Sequence, residues 1–340
     1  MINGVVASGV LALLVYVGSR RLIYFDAVLM PYLFATLFAV LGIVYRYTVW
    51  LDRPPTRMLW RRSLNFVFSK KFIILSWWVL KTFFRQIVLQ RFIEKRSHYR
   101  WLMHFLIAWG TLVSFAITFP LVFGWLHFET AVGSNELYQL YVFGFPSLIF
   151  KHDGVIGFLF YNTLNISALA VLIGVVMAFA RRLLHPGLMA VQTFANDMLP
   201  LLILFFVSVT GLFLTYSAHF LEGEHFRVFS TLHCFAVVIF LVYLPFGKFF
   251  HIFQRAAQLG VTIYIEEKKN GIKAHCPNCK EPFTSRMQQK DIKEVLTDLG
   301  FQYQKEEGGY AVQDLCPFCR RRMFMLGQHK KLNGNFDIHK

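Results

Sequence analysis

The sequence is poor in acids: 19 Asp and Glu stand against 35 Lys and Arg, a formal net charge of +16. Charge of either sign is scarce, at 16% of the 340 residues, while 56% are hydrophobic and 17% aromatic. A soluble domain carries roughly 25% charged residues, so this profile excludes one and points to a polytopic helical membrane protein with a smaller soluble part. Internal repeats are lacking, which argues against a solute transporter. No low-complexity tract and no nucleotide, flavin or molybdenum motif is present, so a complete enzyme is not expected. No secretory signal is expected either, because Met1–Val17 is apolar without a basic start or a cleavage site. Excess basic charge often marks nucleic-acid binding. Here it sits in loops beside apolar runs, so the positive-inside rule accounts for it and no nucleic-acid partner is expected.

What is present is a series of apolar runs. Ala27–Ile43 predicts a span closing on an aromatic belt at Tyr45, Tyr47 and Trp50. Leu51–Arg100 holds twelve basic residues against Asp52 and Glu94, a cytoplasmic loop. Within it, Phe72–Gln90 predicts an amphipathic helix on the inner leaflet. Trp101–Phe123, Val155–Ala180 and Met198–Tyr216 predict three further spans, with Gly124–Asp153 and Ser217–Arg227 outside. Met1–Val17 is a possible sixth span, although it places Arg20 and Arg21 outside. The expected organisation is an N-terminal apolar segment (1–26), a membrane domain (27–253, with the basic loop 51–100) and a C-terminal domain (254–340). In that last domain Val261–Glu266 and Tyr310–Leu315 read as strands and Lys290–Leu299 as a helix.

The chain is organised around Arg227–His251, read as one last span. His233 and His251 are eighteen residues apart, five turns at about 3.6 residues per turn, so both imidazoles face one way near opposite membrane surfaces. They are either interfacial histidines or haem ligands. His104 lies about one turn into the Trp101–Phe123 span, at the depth of His251 on an antiparallel helix. A haem b between these two would be six-coordinate, suited to electron transfer. Ionisable residues in spans are costly and usually functional. Gly110 and Gly247 leave room either for a macrocycle or for helix packing. Ten residues after His104 stands Ser114, which does not ligate haem, so His233 needs another partner. His152 is the first choice and His219 the second; His127 and His225 are also near.

Residues 31–260 resemble the gamma subunit of respiratory nitrate reductase and its relatives, the cytochrome b subunits of membrane-bound heterodisulfide reductases and of sulfite-reduction-associated complexes. The likeness rests on PYLFATLFAVLGIVYRYTVW, on RWLMHFLIAWG with His104, and on LHCFAVVIFLVYLPFGKFFHIF with His233 and His251. It implies an electron-transfer subunit in the cell membrane, with one or two haem b groups. Such a subunit exchanges electrons between quinone and a cytoplasmic iron–sulfur or molybdopterin partner. Ser114 departs from the family pattern, so His233 either ligates a second haem or lines a quinone pocket.

Two C-P-x-C knuckles, Cys276/Cys279 and Cys316/Cys319, have the spacing of a four-thiolate zinc or iron site. They follow the cytoplasmic end of the last span, where thiols stay reduced. Lys280 and Arg320 stand where rubredoxin knuckles carry glycine, which favours structural zinc. Cys234 is expected to pack. The expected fold is an all-α membrane bundle of five or six spans with a small C-terminal α+β metal-ribbon domain. The competing function is a non-redox membrane anchor that recruits a partner through a zinc ribbon.

Overall fold

The computed structural model describes residues 1–69, 72–131, 136–301 and 310–332. In chain order the helices are α1 (Ile2–Gly18), α2 (Met30–Leu51), α3 (Pro54–Val67), α4 (Phe72–Phe83), α5 (Arg91–Glu94) and α6 (His98–Val122). They continue with α7 (Val155–Leu184), α8 (Pro186–Met189), α9 (Leu199–Phe220), α10 (Phe226–Tyr243), α11 (His251–Asn270), α12 (Arg286–Asp298) and α13 (Pro317–Leu332). Strands β1 (Leu126–Thr130), β2 (Leu137–Val142) and β3 (Phe145–Lys151) form one antiparallel sheet, and β4 (Lys273–His275) pairs with β5 (Pro282–Ser285). The chain divides into two compact units, Met1–Thr48 with Phe84–Gln254, and Val49–Phe83 with Arg255–Lys340. The basic loop 51–100 is thus divided between them rather than belonging wholly to the membrane domain.

Among the described residues, the first unit holds five helices long and apolar enough to cross a membrane: Ala27–Leu51, His98–Val122, Val155–Leu184, Phe194–Phe220 and Phe226–Tyr243. In hydrocarbon a helix satisfies its own backbone, which is why such runs fold this way. Helices α6 and α7 approach closely through small residues. A Cβ on Gly110 would lie 2.7 Å from the Ser167 carbonyl oxygen, and one on Gly174 would lie 2.9 Å from that of Met103. Gly110 therefore serves helix packing rather than space for a macrocycle. Gly247 leaves no such space either: its Cβ would meet the Tyr243 ring at 2.3 Å, within the turn after α10.

Helix α1, at 17 residues, is one residue shorter than the shortest of those five. It runs antiparallel to α2: a Cβ on Gly4 would meet Leu41, and Ser8 Oγ donates to the Leu37 carbonyl at 2.9 Å. Val15 joins Phe25 and Phe123 in a buried cluster. Arg20 at its C-terminal end donates to the Gly144 carbonyl in the β2–β3 turn, and its guanidinium lies 5.8 Å from the Phe145 ring centroid. Gly124–Asp153 is the stretch expected outside the membrane. The sheet that fills much of it is what receives this arginine.

The last span is not one helix. Pro245 lacks an N–H to continue the ladder, and α10 ends at Tyr243. A turn and the 3₁₀ segment Lys248–Phe250 follow before α11 opens at His251. Arg46 takes up the exposed carbonyls, donating to Pro245 O at 2.6 Å and Phe246 O at 2.8 Å, with its guanidinium 4.3 Å over the Phe250 ring. The five-turn argument for His233 and His251 on one face therefore fails.

In the second unit the expected strand at Val261–Glu266 lies inside α11, continuing the helix that starts at His251. Thr262 turns its hydroxyl back to the Gln258 carbonyl at 2.8 Å, the helical alternative open to a β-branched residue. The expected strand at Tyr310–Leu315 is a 3₁₀ turn, Val312–Asp314, because Asp314 accepts from the Ala311 N–H at 3.1 Å and tightens it. The predicted helix at Lys290–Leu299 is α12, opened by Ser285, whose Oγ accepts from the Gln288 N–H at 3.2 Å. Phe72–Gln90 is α4 followed by a π turn, Phe84–Val88. Asp291 of α12, 1% exposed, accepts from Arg62 Nη2 at 2.5 Å and from Tyr264 Oη at 3.0 Å. That burial beside a carboxylate pushes the Tyr264 phenol well above its ordinary value.

Candidate functional site

The π turn after α4 brings the chain back against α6. The indoles of Trp101 and Trp109 donate to the carbonyls of Leu89 at 2.8 Å and Val88 at 3.0 Å. Gln90 is held left-handed, at φ 50°, and 7% exposed. Few non-glycine residues adopt that backbone, and it persists only where its surroundings fix it. Here it presents the Gln90 amide oxygen to His104 Nδ1 at 2.8 Å. His251 Nδ1 donates to the Lys248 carbonyl within the 3₁₀ segment. A carbonyl oxygen only accepts, so Nδ1 carries the proton on His251. The Gln90 oxygen assigns the same tautomer to His104. The two rings, from α6 and from the start of α11, stand with centroids 6.3 Å apart and planes at 63°. The structure thus brings together the pair that the sequence matched by depth. The route differs, since His251 arrives on a new helix. Gln90 carried no signal in the sequence.

His233 on α10 lines a cavity of about 370 Å³ among α2, α6, α7, α9 and α10. Thr210 spends its hydroxyl proton on the Phe206 carbonyl at 2.6 Å, so its oxygen accepts from His233 Nδ1 at 3.0 Å. Thr111, Ser114 and Thr118 line the cavity from α6 and Ser208 and Thr215 from α9, while no Asp, Glu, Lys or Arg does. The Thr111 hydroxyl is buried there without a hydrogen-bond partner among the described residues. Ser114, where the resemblance leads one to expect histidine, bonds Ser167 Oγ at 2.7 Å. His152 and His219 are exposed and do not line this cavity, so the structure does not bring either to His233. His225 is exposed too, and His127 is stacked between Tyr24 at 3.8 Å and Tyr141 at 5.0 Å.

The four cysteines converge as their spacing implies. The Sγ atoms of Cys276, Cys279, Cys316 and Cys319 all lie within 4.8 Å of one another, and none is in a disulfide. Four thiolates at about 2.3 Å from a tetrahedral ion sit roughly 3.8 Å apart, close to the 3.6 Å between Cys279 and Cys316. The donor set therefore fits a metal ion. The first knuckle follows β4, closed by the Lys280 N–H to the Cys276 carbonyl at 2.8 Å, with Lys280 itself left-handed at φ 62°. The second is the first turn of α13, where the Cys319 N–H donates to Cys316 Sγ at 3.4 Å. Burial opposes charge on Cys276, but the amides of Cys316, Cys279 and Asn278 outweigh it and bring that thiol down to about 6.

Fold and site define a polytopic membrane protein with a four-cysteine, metal-binding appendage. No protein-family model matches the chain, and neither a curated protein nor a solved structure does.

Proposed function

We propose that the chain is a cytochrome b-type electron-transfer subunit of the cell membrane. It exchanges electrons between the quinone pool and a cytoplasmic iron–sulfur or molybdopterin partner. The observation that carries this reading is the His104–His251 pair. Imidazoles on opposite sides of one iron, with metal–nitrogen bonds near 2.0 Å, put their centroids about 6 Å apart, and these stand at 6.3 Å. Each ring has its Nδ1 held by a carbonyl oxygen, which aims the ring and raises its basicity as a ligand. A haem b bound there supplies reversible one-electron transfer.

The cavity at His233 serves as the quinone site in this reading. Its volume falls in the small-molecule range and its lining is apolar with hydroxyls, the Asn165 amide and one imidazole, which suits an uncharged ring bearing two oxygens. The Thr210 contact leaves the lone pair on His233 Nε2, able to take a proton from quinol. The four cysteines hold structural zinc rather than a rubredoxin-type iron, supported by the second knuckle lying in a helical turn instead of repeating the first. Arg181, Arg182 and Lys248 at the ends of two spans, with the basic loop, support a cytoplasmic position for the cysteine unit under the positive-inside rule.

The test is the visible spectrum and the pyridine haemochrome of the purified chain. Sharp reduced bands that disappear in both His104→Ala and His251→Ala are expected. A colourless protein that retains its zinc would establish the membrane anchor instead.

A further inference from the structure

Asp197 is the one acid in the membrane-capable segment Phe194–Phe220. A carboxylate at such a place is costly unless it is paired and is used for something. It sits in the π turn Phe194–Met198 that opens α9, and it is fully engaged. Oδ1 accepts from Lys248 Nζ at 2.5 Å and from Arg182 Nη1 at 3.1 Å, and Oδ2 accepts from the Thr193 N–H at 2.9 Å. Lys248 is the first residue of the 3₁₀ segment and the donor of the carbonyl that receives His251 Nδ1. A second tie joins the same two stretches, Tyr243 Oη to the Ala195 carbonyl at 2.8 Å. The break at Pro245 interrupts the α10 ladder; the Lys248 carbonyl also accepts from the His251 backbone N–H and Phe249 and Phe250 are buried, and the ties from Asp197 and Tyr243 add to that hold.

We infer that Asp197 is a positioning residue for His251: by gripping Lys248 it fixes the carbonyl that holds Nδ1–H, and so sets how strongly the His251 imidazole donates to a metal. The inference rests on the proposed haem at His104 and His251. A histidine whose Nδ1–H is firmly held is a more basic ligand and favours the oxidised iron. Loosening the grip then raises the midpoint potential.

Charge alone makes a different forecast, and the difference supplies the experiment. Removing an anion near the iron raises the potential, while removing a cation lowers it. Asp197→Asn and Lys248→Met are made in the full-length chain, and haem content, low-temperature EPR and the potentiometric midpoint are recorded for each. The clamp predicts bis-histidine haem in both variants, an upward shift of the midpoint in both and altered low-spin g-values, with Asp197→Glu returning toward the parent. Shifts of opposite sign in the two variants, or none in either, overturn it. Loss of haem counts for the clamp only if both variants lose it and Asp197→Glu regains it; any other pattern of loss overturns it. Failure of the underlying reading is distinguishable: the parent chain then lacks haem, or keeps it unchanged in His251→Ala.

Discussion

The two units are held together in opposite ways. The first is built on apolar helices, and several of its hydroxyls turn inward to their own helix. Thr36, Thr48, Thr163 and Thr210 each donate to the carbonyl four residues back. The second is small and charged. Among its described residues the buried apolar cluster is Leu315 and Phe283 around three cysteines, with Phe66, Ile263 and Ala274 buried elsewhere, and its helices are joined by Arg62–Asp291, Arg57–Asp298 and Arg61–Glu294. In a bilayer, close packing of small residues suffices, because lipid satisfies the outer faces. A small unit in water with so thin a core needs a metal or a paired charge network to stay ordered.

The sharpest way to break the contrast is at the cysteines. Cys316→Ser in the full-length chain should lose its metal ion, read by elemental analysis, and expose residues 255–332 to limited proteolysis. The membrane helices, read by circular dichroism in detergent, should stay intact. Metal binding of this kind is worth about 10 kcal/mol or more, beyond what the unit's own core supplies. Retention of protease resistance would show that the second unit has a self-sufficient core.

Acid should do the same without a mutation. The Cys276 thiol is lowered to about 6, so its thiolate is present above that pH and is lost as pH falls through it. Protons compete with the metal for the thiolates, so metal should be held at neutral pH and released on acidification, measured by a chromogenic chelator during titration. Release already at neutral pH would contradict the preformed thiolate.

A middle-sized effect is expected at Asp291. Asp291→Asn leaves Arg62 half-paired and should cost about 2–3 kcal/mol, below the usual figure for a buried pair because Arg62 reaches water. Thermal unfolding of the second unit, followed by proteolysis, should shift down while metal content at room temperature is unchanged. Arg62→Leu with Asp291→Leu should be milder than Asp291→Asn alone.

The smallest effect sharpens the other side of the comparison. Gly110→Ala pushes a methyl to 2.7 Å from the Ser167 carbonyl, and should cost about 1–3 kcal/mol through separation of α6 and α7. A lowered melting temperature of the membrane helices, with proteolysis of the second unit unchanged, is the expected result.

Much of this molecule is legible along the chain. Apolar runs fix the spans because their length must match the bilayer, and C-P-x-C pairs fix the thiolate cluster because the spacing itself builds the turn. His104 and His251 are expected at one depth on the premise of a continuous last helix; they meet although that helix ends at Tyr243, so constant rise does not account for the pairing. What only the tertiary structure decided depends on contacts remote in sequence. The last span breaks at Pro245 because Arg46 is present to take its carbonyls. Val261–Glu266 is helical because α11 carries Tyr264 to Asp291, which local alternation does not encode. Gln90 reaches His104 because two indoles from α6 hold a left-handed turn. Asp197 grips Lys248 from 51 residues away. Local periodicity reports which face is apolar; it carries no record of which distant side chain will satisfy a freed carbonyl or aim an imidazole.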